Sequence, residues 1–265
     1  DAFHRPKDYP KDLALFNAMR PKEKANAIPP RRDLQLEALD EILAGTRHIT
    51  CHSYVQSEIL MLMQVADSMG FSVNTFTHVL EGYKVARGLK KHGANVSTFS
   101  DWWAYKYEVE DAIPYNAAIM HEQGLNVCIN SDDAEMSRRL NQEAAKTVKY
   151  GGVAQEDAWK MVTLNPAVAL HLDSHMGSVE VGKDADLVLW SANPLSIDAK
   201  VMMTFVDGVR YYDRKRDEIH RATEQQERSR IIAKMLAAKQ AGATVRIVTR
   251  QKSRQWTCES EGDQP

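Results

Sequence analysis

Short runs rich in β-branched and aromatic residues recur along this chain, each followed by a longer stretch with helical apolar spacing. The runs are His48–His52, Ser72–Thr77, Asn95–Phe99 and Asn126–Asn130; the helical stretches are Ser57–Met69, Gly82–His92, Tyr115–Gln123 and Asp133–Tyr150. Such alternation predicts right-handed βαβ units and therefore an α/β fold on a parallel sheet. Four units can be counted. Upstream, Leu34, Leu36, Leu39, Ile42 and Leu43 form a one-sided stripe, with Asp33 as N-cap and Gly45 as the stop. Asp1–Arg32, rich in Pro, Lys and Arg and ending in Pro29-Pro30-Arg31-Arg32, reads as a loop or insertion.

Downstream the texture changes. Asp157–Leu170 is helical again, with Asn165-Pro166 suited to capping and starting a new helix. Beyond Gly177 the pattern is turn, then strand to Trp190, then a hairpin of Val201–Val206 and Val209–Tyr212 parted by Asp207-Gly208. This reads as a separate small β module. Asp217–Ala241 is highly charged, with Ile231, Ile232, Met235 and Leu236 at helical spacing; it suits a surface helix docked by one stripe, or a partner-binding helix. Thr244–Val248 is strand-like. The expected boundaries are 1–32 (loop or insertion), 33–176 (α/β array), 177–213 (β segment) and 214–265 (charged helix and tail).

A length of 265 residues suits one complete (β/α)8 barrel of about 250 residues, yet the pattern contains four units rather than eight. The balance of 34 Lys+Arg against 36 Asp+Glu gives a net charge of -2. That leaves no global field to recruit nucleic acid or an anionic membrane. The longest uncharged apolar stretch, Ile59–Ala66, falls far short of the ~20 residues a membrane span needs. Cys51, Cys128 and Cys258 are too few and too irregular for a disulfide framework, which fits a reducing compartment. Asp1–Pro10 has neither the basic nor the apolar region of a signal peptide, so the expectation is a soluble protein, with cytoplasm, periplasm and secretion left open.

In a parallel α/β array, functional side chains gather at the carboxyl ends of the strands. Those ends hold His52, His78, Ser100-Asp101-Trp102-Trp103 and Ser131-Asp132-Asp133. His52 to His78 is 26 residues, about one unit, and His78 to Asp132 is 54, about two. Two neutral imidazoles and a carboxylate form a common ligand set for zinc and related divalent metals, and three protein ligands leave a position open for a catalytic water. A lone strand-end histidine is as readily a hydrogen-bonded structural residue; the joint pattern favours the ligand reading. His48 shares the parity of His52 and is expected to pack deeper inside the barrel. His121 is expected to face solvent, and His4, His92, His171, His175 and His220 to lie at the surface. Trp102 and Trp103 suit either the core or a pocket wall. No glycine-rich phosphate loop supports a nucleotide-binding reading, since Gly151-Gly152 follows a helix.

Ile49-Thr50-Cys51-His52, the run Thr75–Lys84 containing His78, the loop Thr98–Trp103 and Ile129-Asn130-Ser131-Asp132-Asp133 resemble strands five to eight of the amidohydrolase superfamily. They are most similar to its imidazolonepropionase-like branch. Thr163-Leu164-Asn165-Pro166-Ala167 and the stretch Gly177–Trp190, containing Gly182-Lys183-Asp184-Ala185-Asp186-Leu187, resemble the point where that family returns to its small β-sandwich. The resemblance covers about Arg32 to Asp213. It implies the second half of a TIM-type (β/α)8 barrel (strands 5–8), part of a β-sandwich and a C-terminal helix. It also implies His52 and His78 as ligands of the second metal of a two-metal site, and Asp132 as ligand of the first metal and proton shuttle. The implied reaction is hydrolysis of an amide-type C–N bond with one or two zinc or other divalent ions, Asp132 and His78 being catalytic.

The family's His-x-His pair of strand one occurs nowhere in the 265 residues, and strands one to four have no counterpart. The resemblance therefore implies that the N-terminal half of the enzyme is a partner supplied by another chain or missing, that the assembly is an oligomer, and that the half-barrel exposes open edges and an apolar interior. Tyr54, Tyr83, Trp102 and Trp103, with Asp101, are the expected substrate-binding residues for a small amide, cyclic amide or dipeptide-like substrate. Arg138 and Arg139 are read either as carboxylate binders or as ordinary helix-surface residues. The alternative is a non-catalytic scaffold or binding subunit derived from an amidohydrolase.

Overall fold

The structure, a computed structural model, describes residues 8–244. Four short strands, β1 (Thr50–His52), β2 (Thr75–Thr77), β3 (Asn95–Thr98) and β4 (Val127–Ile129), form a parallel sheet in chain order. The register sets Thr50 beside Thr75 and Thr75 beside Asn95, then His52 beside Thr77, Thr77 beside Ser97, and Ser97 beside Cys128. Because side chains alternate along a strand, this register sorts the sheet into two faces. One carries Cys51, Phe76, Val96, Val127 and Ile129 and packs into the main apolar core. The other carries Thr50, His52, Thr75, Thr77, Asn95, Ser97 and Cys128. The expected apolar interior is therefore corrected: the face turned away from the helices is predominantly polar.

The helices follow the alternation. α1 (Tyr9–Ala18), α2 (Pro21–Lys24) and α3 (Leu34–Leu43) precede β1. α4 (Gln56–Met69), α5 (Gly82–His92) and α6 (Asn116–Glu122) connect the strands, and α7 (Ala134–Ser137), α8 (Leu140–Gly151), α9 (Gln155–Lys160) and α10 (Leu164–Ala169) follow β4. Ile59, Met63 and Ala66 of α4, Val85, Ala86 and Leu89 of α5, and Ala117, Ala118 and Met120 of α6 bury one stripe each against the sheet. α5 stops at Gly93, whose φ of 84° is accessible without a side-chain clash.

Three local expectations are corrected. The stretch read as a loop or insertion over 1–32 is not all loop but holds α1 and α2, both opened by a proline near the first helical position and neither burying a residue. The single helix expected over Asp133–Tyr150 is two, because Arg139 leaves the helical region at φ -134°, ψ 32° and the Asp133 carboxylate caps only the first piece, accepting from Glu135 N at 2.8 Å and Met136 N at 2.9 Å. α10 begins at Leu164, and the Asn165 amide donates to Val127 O at 2.7 Å instead of capping a helix.

Three antiparallel strands, β5 (Leu187–Trp190), β6 (Val201–Val206) and β7 (Val209–Asp213), form the second sheet. Asp207 and Gly208, at φ 50° and 75°, give the β6–β7 turn the two left-handed residues that match strand twist. The chain divides into two compact units, Asp1–Tyr212 and Asp213–Pro265. The second contains α11 (Arg214–Gln240), capped by Asp213, whose carboxylate accepts from Lys215 N and Arg216 N. No residue of α11 is buried, and pairs such as Arg221 with Asp217 at 2.7 Å run along it. The strand-like run past Thr244 lies outside the described residues.

Candidate active site

His52 closes β1, and the β1–β2 register places it beside Thr77. His78, one residue further on, would by alternation point to the apolar face. Its φ of +71° turns the chain instead, a conformation that costs a non-glycine residue free energy and is held by Val79 N donating to Ser97 O at 3.3 Å. The result is that His52 Nδ1 and His78 Nε2 meet at 2.7 Å, with their ring planes 61° apart. Asp132, in the loop after β4, places Oδ2 3.6 Å from the same Nε2. The two imidazoles and the carboxylate expected from the strand ends are thus brought together around one nitrogen.

Burial holds the His78 imidazole below its ordinary range, with His52 and Lys106 acting in the same direction and Asp132 opposing them. The ring is accordingly neutral near neutral pH, the state in which imidazole is a ligand. Its other nitrogen, Nδ1, is buried without a hydrogen-bond partner. Among the described residues no group of three or more His, Cys, Asp or Glu is arranged to hold a metal ion. In the His52–His78 hydrogen bond one ring nitrogen carries the proton and the other accepts it on its lone pair. The chemistry of the donors, two imidazoles and a carboxylate brought together, fits a divalent ion.

A file of stacked rings extends from the pair. Tyr54 lies on His78 at 5.2 Å, His78 on Phe99 at 5.0 Å and Phe99 on Trp102 at 4.8 Å, all within 20° of parallel; Tyr105 meets Trp102 edge-on at 5.3 Å. Lys106 Nζ lies 3.8 Å above the Tyr54 ring and 5.4 Å from that of Tyr105. Of the aromatic residues expected near the substrate, Tyr54 and Trp102 belong to this file. Trp103, Tyr83 and Asp101 do not join it. Trp103 turns to Tyr150, 6.1 Å away on α8. Tyr83 sits in the helical layer, its hydroxyl donating to Asp111 O at 2.9 Å. Asp101 is held by Lys146. Arg138 and Arg139 face Glu135 and Glu143 respectively.

Several residues the pattern did not mark support this arrangement. Buried Asn116 donates to Val79 O at 2.8 Å and Thr98 Oγ1 at 3.0 Å and accepts from Tyr83 N at 2.9 Å, tying two strand-end loops together. Buried Glu143 accepts from Ser100 Oγ at 2.5 Å and Lys146 Nζ at 2.6 Å, anchoring the loop that carries Trp102. Glu81 Oε2 accepts from Gln56 N at 2.9 Å and so caps α4. A buried acid in a helix leaves no periodic signal, but the interleaving of Trp102, Trp103, Tyr105 and Lys106 in one strand-end loop does mark an aromatic and cationic surface. Away from the site, His48 is exposed rather than deep in a barrel and stacks on His171 at 3.9 Å. The His92 side chain is buried rather than at the surface, linked to Val73 N at 3.0 Å and Asp67 at 2.9 Å.

Fold and site define an α/β protein whose candidate chemistry sits at the carboxyl ends of parallel strands. Comparison narrows the class. The Amidohydrolase family model matches residues 109–211. An amidohydrolase from Thermotoga maritima MSB8 matches with a TM-score of 0.69 and 27% identity over 80% of this chain and 54% of that one. A prolidase complexed with N-methylphosphonate-L-proline shares the fold at a TM-score of 0.51 and 19% identity, over 69% of this chain and 50% of that one. Amidohydrolase tasK of Hapsidospora irregularis is 27% identical over 186 residues, 68% of this chain and 19% of that protein. These matches make the chain similar, over part of its length, to members of the amidohydrolase superfamily, a group of hydrolases that is generally metal-dependent. It spans about half the length of the solved relatives, at 54% and 50%, and about a fifth of tasK, at 19%.

Proposed function

We propose that this chain is the strand-five-to-eight half of a barrel hydrolase that cleaves an amide-type C–N bond in a small amide, cyclic amide or dipeptide-like substrate. The observation that carries the reading is the meeting of His52 Nδ1 and His78 Nε2 at 2.7 Å beside Asp132 Oδ2 at 3.6 Å. His52, His78 and Asp132 would hold a divalent metal such as zinc. When bound, the ion supplies Lewis acidity, polarising the scissile carbonyl and lowering the pKa of water. Asp132 Oδ2 accepts the proton that leaves the attacking water and returns it to the departing amine. His78, kept neutral by burial, orients the reacting carbonyl, and Tyr54 and Trp102 wall the site from solvent. The remaining ligands would come from the N-terminal half of the barrel, on whichever chain carries it.

The test is a metal-loaded hydrolysis screen over N-acyl amino acids, dipeptides and cyclic amides, run on the chain with and without a complementing N-terminal half. Turnover is expected only in the complemented sample, and Asp132→Asn is expected to lower it by about a hundredfold or more. A lone chain that is active and metal-replete would overturn the half-enzyme reading. Activity unchanged in Asp132→Asn would favour a non-catalytic scaffold.

A further inference from the structure

We infer that Lys106 binds an anionic group of the substrate, an α-carboxylate placed beside the aromatic wall; this rests on the hydrolase reading and narrows its substrate class to N-acyl amino acids and peptides with a free carboxylate. Lys106 is half-buried, with Nζ 3.8 Å above the Tyr54 ring and 5.4 Å from Tyr105. Tyr54 in turn stacks on His78 at 5.2 Å, so the ammonium stands one ring away from the paired imidazoles.

Other cations of the same unit are paired with carboxylates. Lys84 pairs with Asp111 and Glu81, Arg138 with Glu135, Arg139 with Glu143, and Lys146 with Asp101 and Glu143. Among the described residues Lys106 has no carboxylate partner, and none of its three N–H donors meets a protein oxygen. Ring faces attract a cation but accept no conventional hydrogen bond, so the rings fix the ammonium in place and leave its donors open. The partial desolvation of Lys106 then makes an arriving anion worth more than it would be in open water. Charge also orients the ligand. Asp132 and Lys106 both act electrostatically on His78, so an arriving carboxylate is repelled by the first and attracted by the second. A single ammonium matches a monoanion, whereas a phosphate dianion calls for a fork or several donors.

The experiment measures binding rather than turnover. The full chain is titrated with N-acetyl-L-leucine and with its carboxamide, N-acetyl-L-leucinamide, by calorimetry and tryptophan fluorescence. The acid is expected to bind about tenfold or more tightly than the amide, the range of one charge-assisted hydrogen bond, and the preference should shrink as salt rises. Lys106→Gln should abolish the preference while leaving amide binding unchanged, and Lys106→Arg should retain most of it. Circular dichroism and melting of both variants should match the parent, because the side chain is outside the apolar core. Equal affinity for acid and amide, a preference that survives Lys106→Gln, or no binding of the acid overturns the inference. Hydrolysis of the same acid separates the two readings. Selective binding without turnover in any assembly removes the hydrolase and keeps the anion site; turnover with acid and amide cleaved alike, before and after Lys106→Gln, does the reverse.

Discussion

Replacing Glu143 tests whether the wall of the candidate site is fixed from α8. The carboxylate is 2% exposed and accepts from Ser100 Oγ at 2.5 Å and Lys146 Nζ at 2.6 Å. Lys146 also grips Asp101, so the two residues preceding Trp102 are both tethered. For Lys146, burial lowers the pKa but the bonds to Asp101 and Glu143 outweigh it and hold the ammonium above its ordinary value. Glu143→Gln keeps the shape and removes the charge. Each charge-assisted bond then falls from about 1.5–3 kcal/mol to about 0.5–1.5, partly offset by the relieved cost of burying a carboxylate, so a loss of about 1–2 kcal/mol is expected. Glu143→Ala strands the buried Ser100 hydroxyl and leaves Lys146 with Asp101 alone. A full buried-pair loss would be about 3–5 kcal/mol, and with Lys146 27% exposed and still paired, about 3 is expected. Urea unfolding followed by tryptophan fluorescence measures both, provided the slope is unchanged. A buried pair is poorly screened, so the losses should persist from about 0.05 M to about 0.5 M NaCl. Arg138→Ala, which breaks a pair 70% exposed on both sides, should cost under about 0.5 kcal/mol. A Glu143→Ala loss under about 0.5 kcal/mol, or one that vanishes in salt, refutes the reasoning.

Gly151→Ala should destabilise by about 1–3 kcal/mol despite the better helix propensity of alanine, because its Cβ would lie 2.1 Å from that of Ala118 on α6; unfolding at unchanged or raised midpoint counts against this close approach of α6 and α8. Burial pushes the Cys128 thiol up to about 12. Its folded value exceeds the unfolded value of about 8.5, so the contribution is complete below about pH 8.5 and is lost as pH rises toward about 12, at up to about 1.4 kcal/mol per unit. Cys128→Ala should flatten that alkaline limb, and parallel stability profiles of parent and variant above about pH 9 would refute the assignment.

The layout was legible because it rests on periodicity. The four strands fall within the four β-rich runs, α5 has the expected ends Gly82 and His92, and the Asp207-Gly208 turn needs only local chemistry. The strand-end rule found His52, His78 and Asp132 because parallel register brings equivalent positions side by side. What it could not convey is how His78 returns to the polar face, since that depends on a positive φ at a residue with no intrinsic preference for it. Which aromatic residues join the file beside His78 was legible only in part for the same kind of reason. Trp102 and Trp103 are adjacent in sequence, and a φ of 70° at Trp102 sends the two rings to different partners. Tyr83 and Asp101 carry the right chemistry, but Asp111 and Lys146, both remote in sequence, engage them first. For Lys106 the interleaved aromatics of its loop mark a cationic surface, but that its ammonium lies over the Tyr54 ring follows only from the folded chain.

The two edges of the parallel sheet are unlike, and the difference bears on whether a partner half completes it. On the far side of β4, Ile129 N donates to Met161 O at 2.9 Å and Val127 O accepts from the Asn165 amide at 2.7 Å. On β1, Ile49 O accepts from Asn74 N at 3.0 Å and Ser53 N donates to Thr77 O at 3.0 Å. Bonding groups in a parallel ladder alternate along the strand, so Ile49, Cys51 and Ser53 face β2 while Thr50 and His52 turn their N–H and C=O toward the open side. Such an edge is a template for another strand, and here it ends at a candidate ligand. Amide hydrogen exchange is therefore expected to be about a hundredfold or more faster at Thr50 and His52 than at Cys51 and Ser53 in the lone chain. Adding the complementing N-terminal half should slow the first pair alone. Slowing that grows with the concentration of the lone chain would mean that a second copy pairs with this edge, and protection of Thr50 and His52 at every concentration would show that the edge is already covered and needs no partner half.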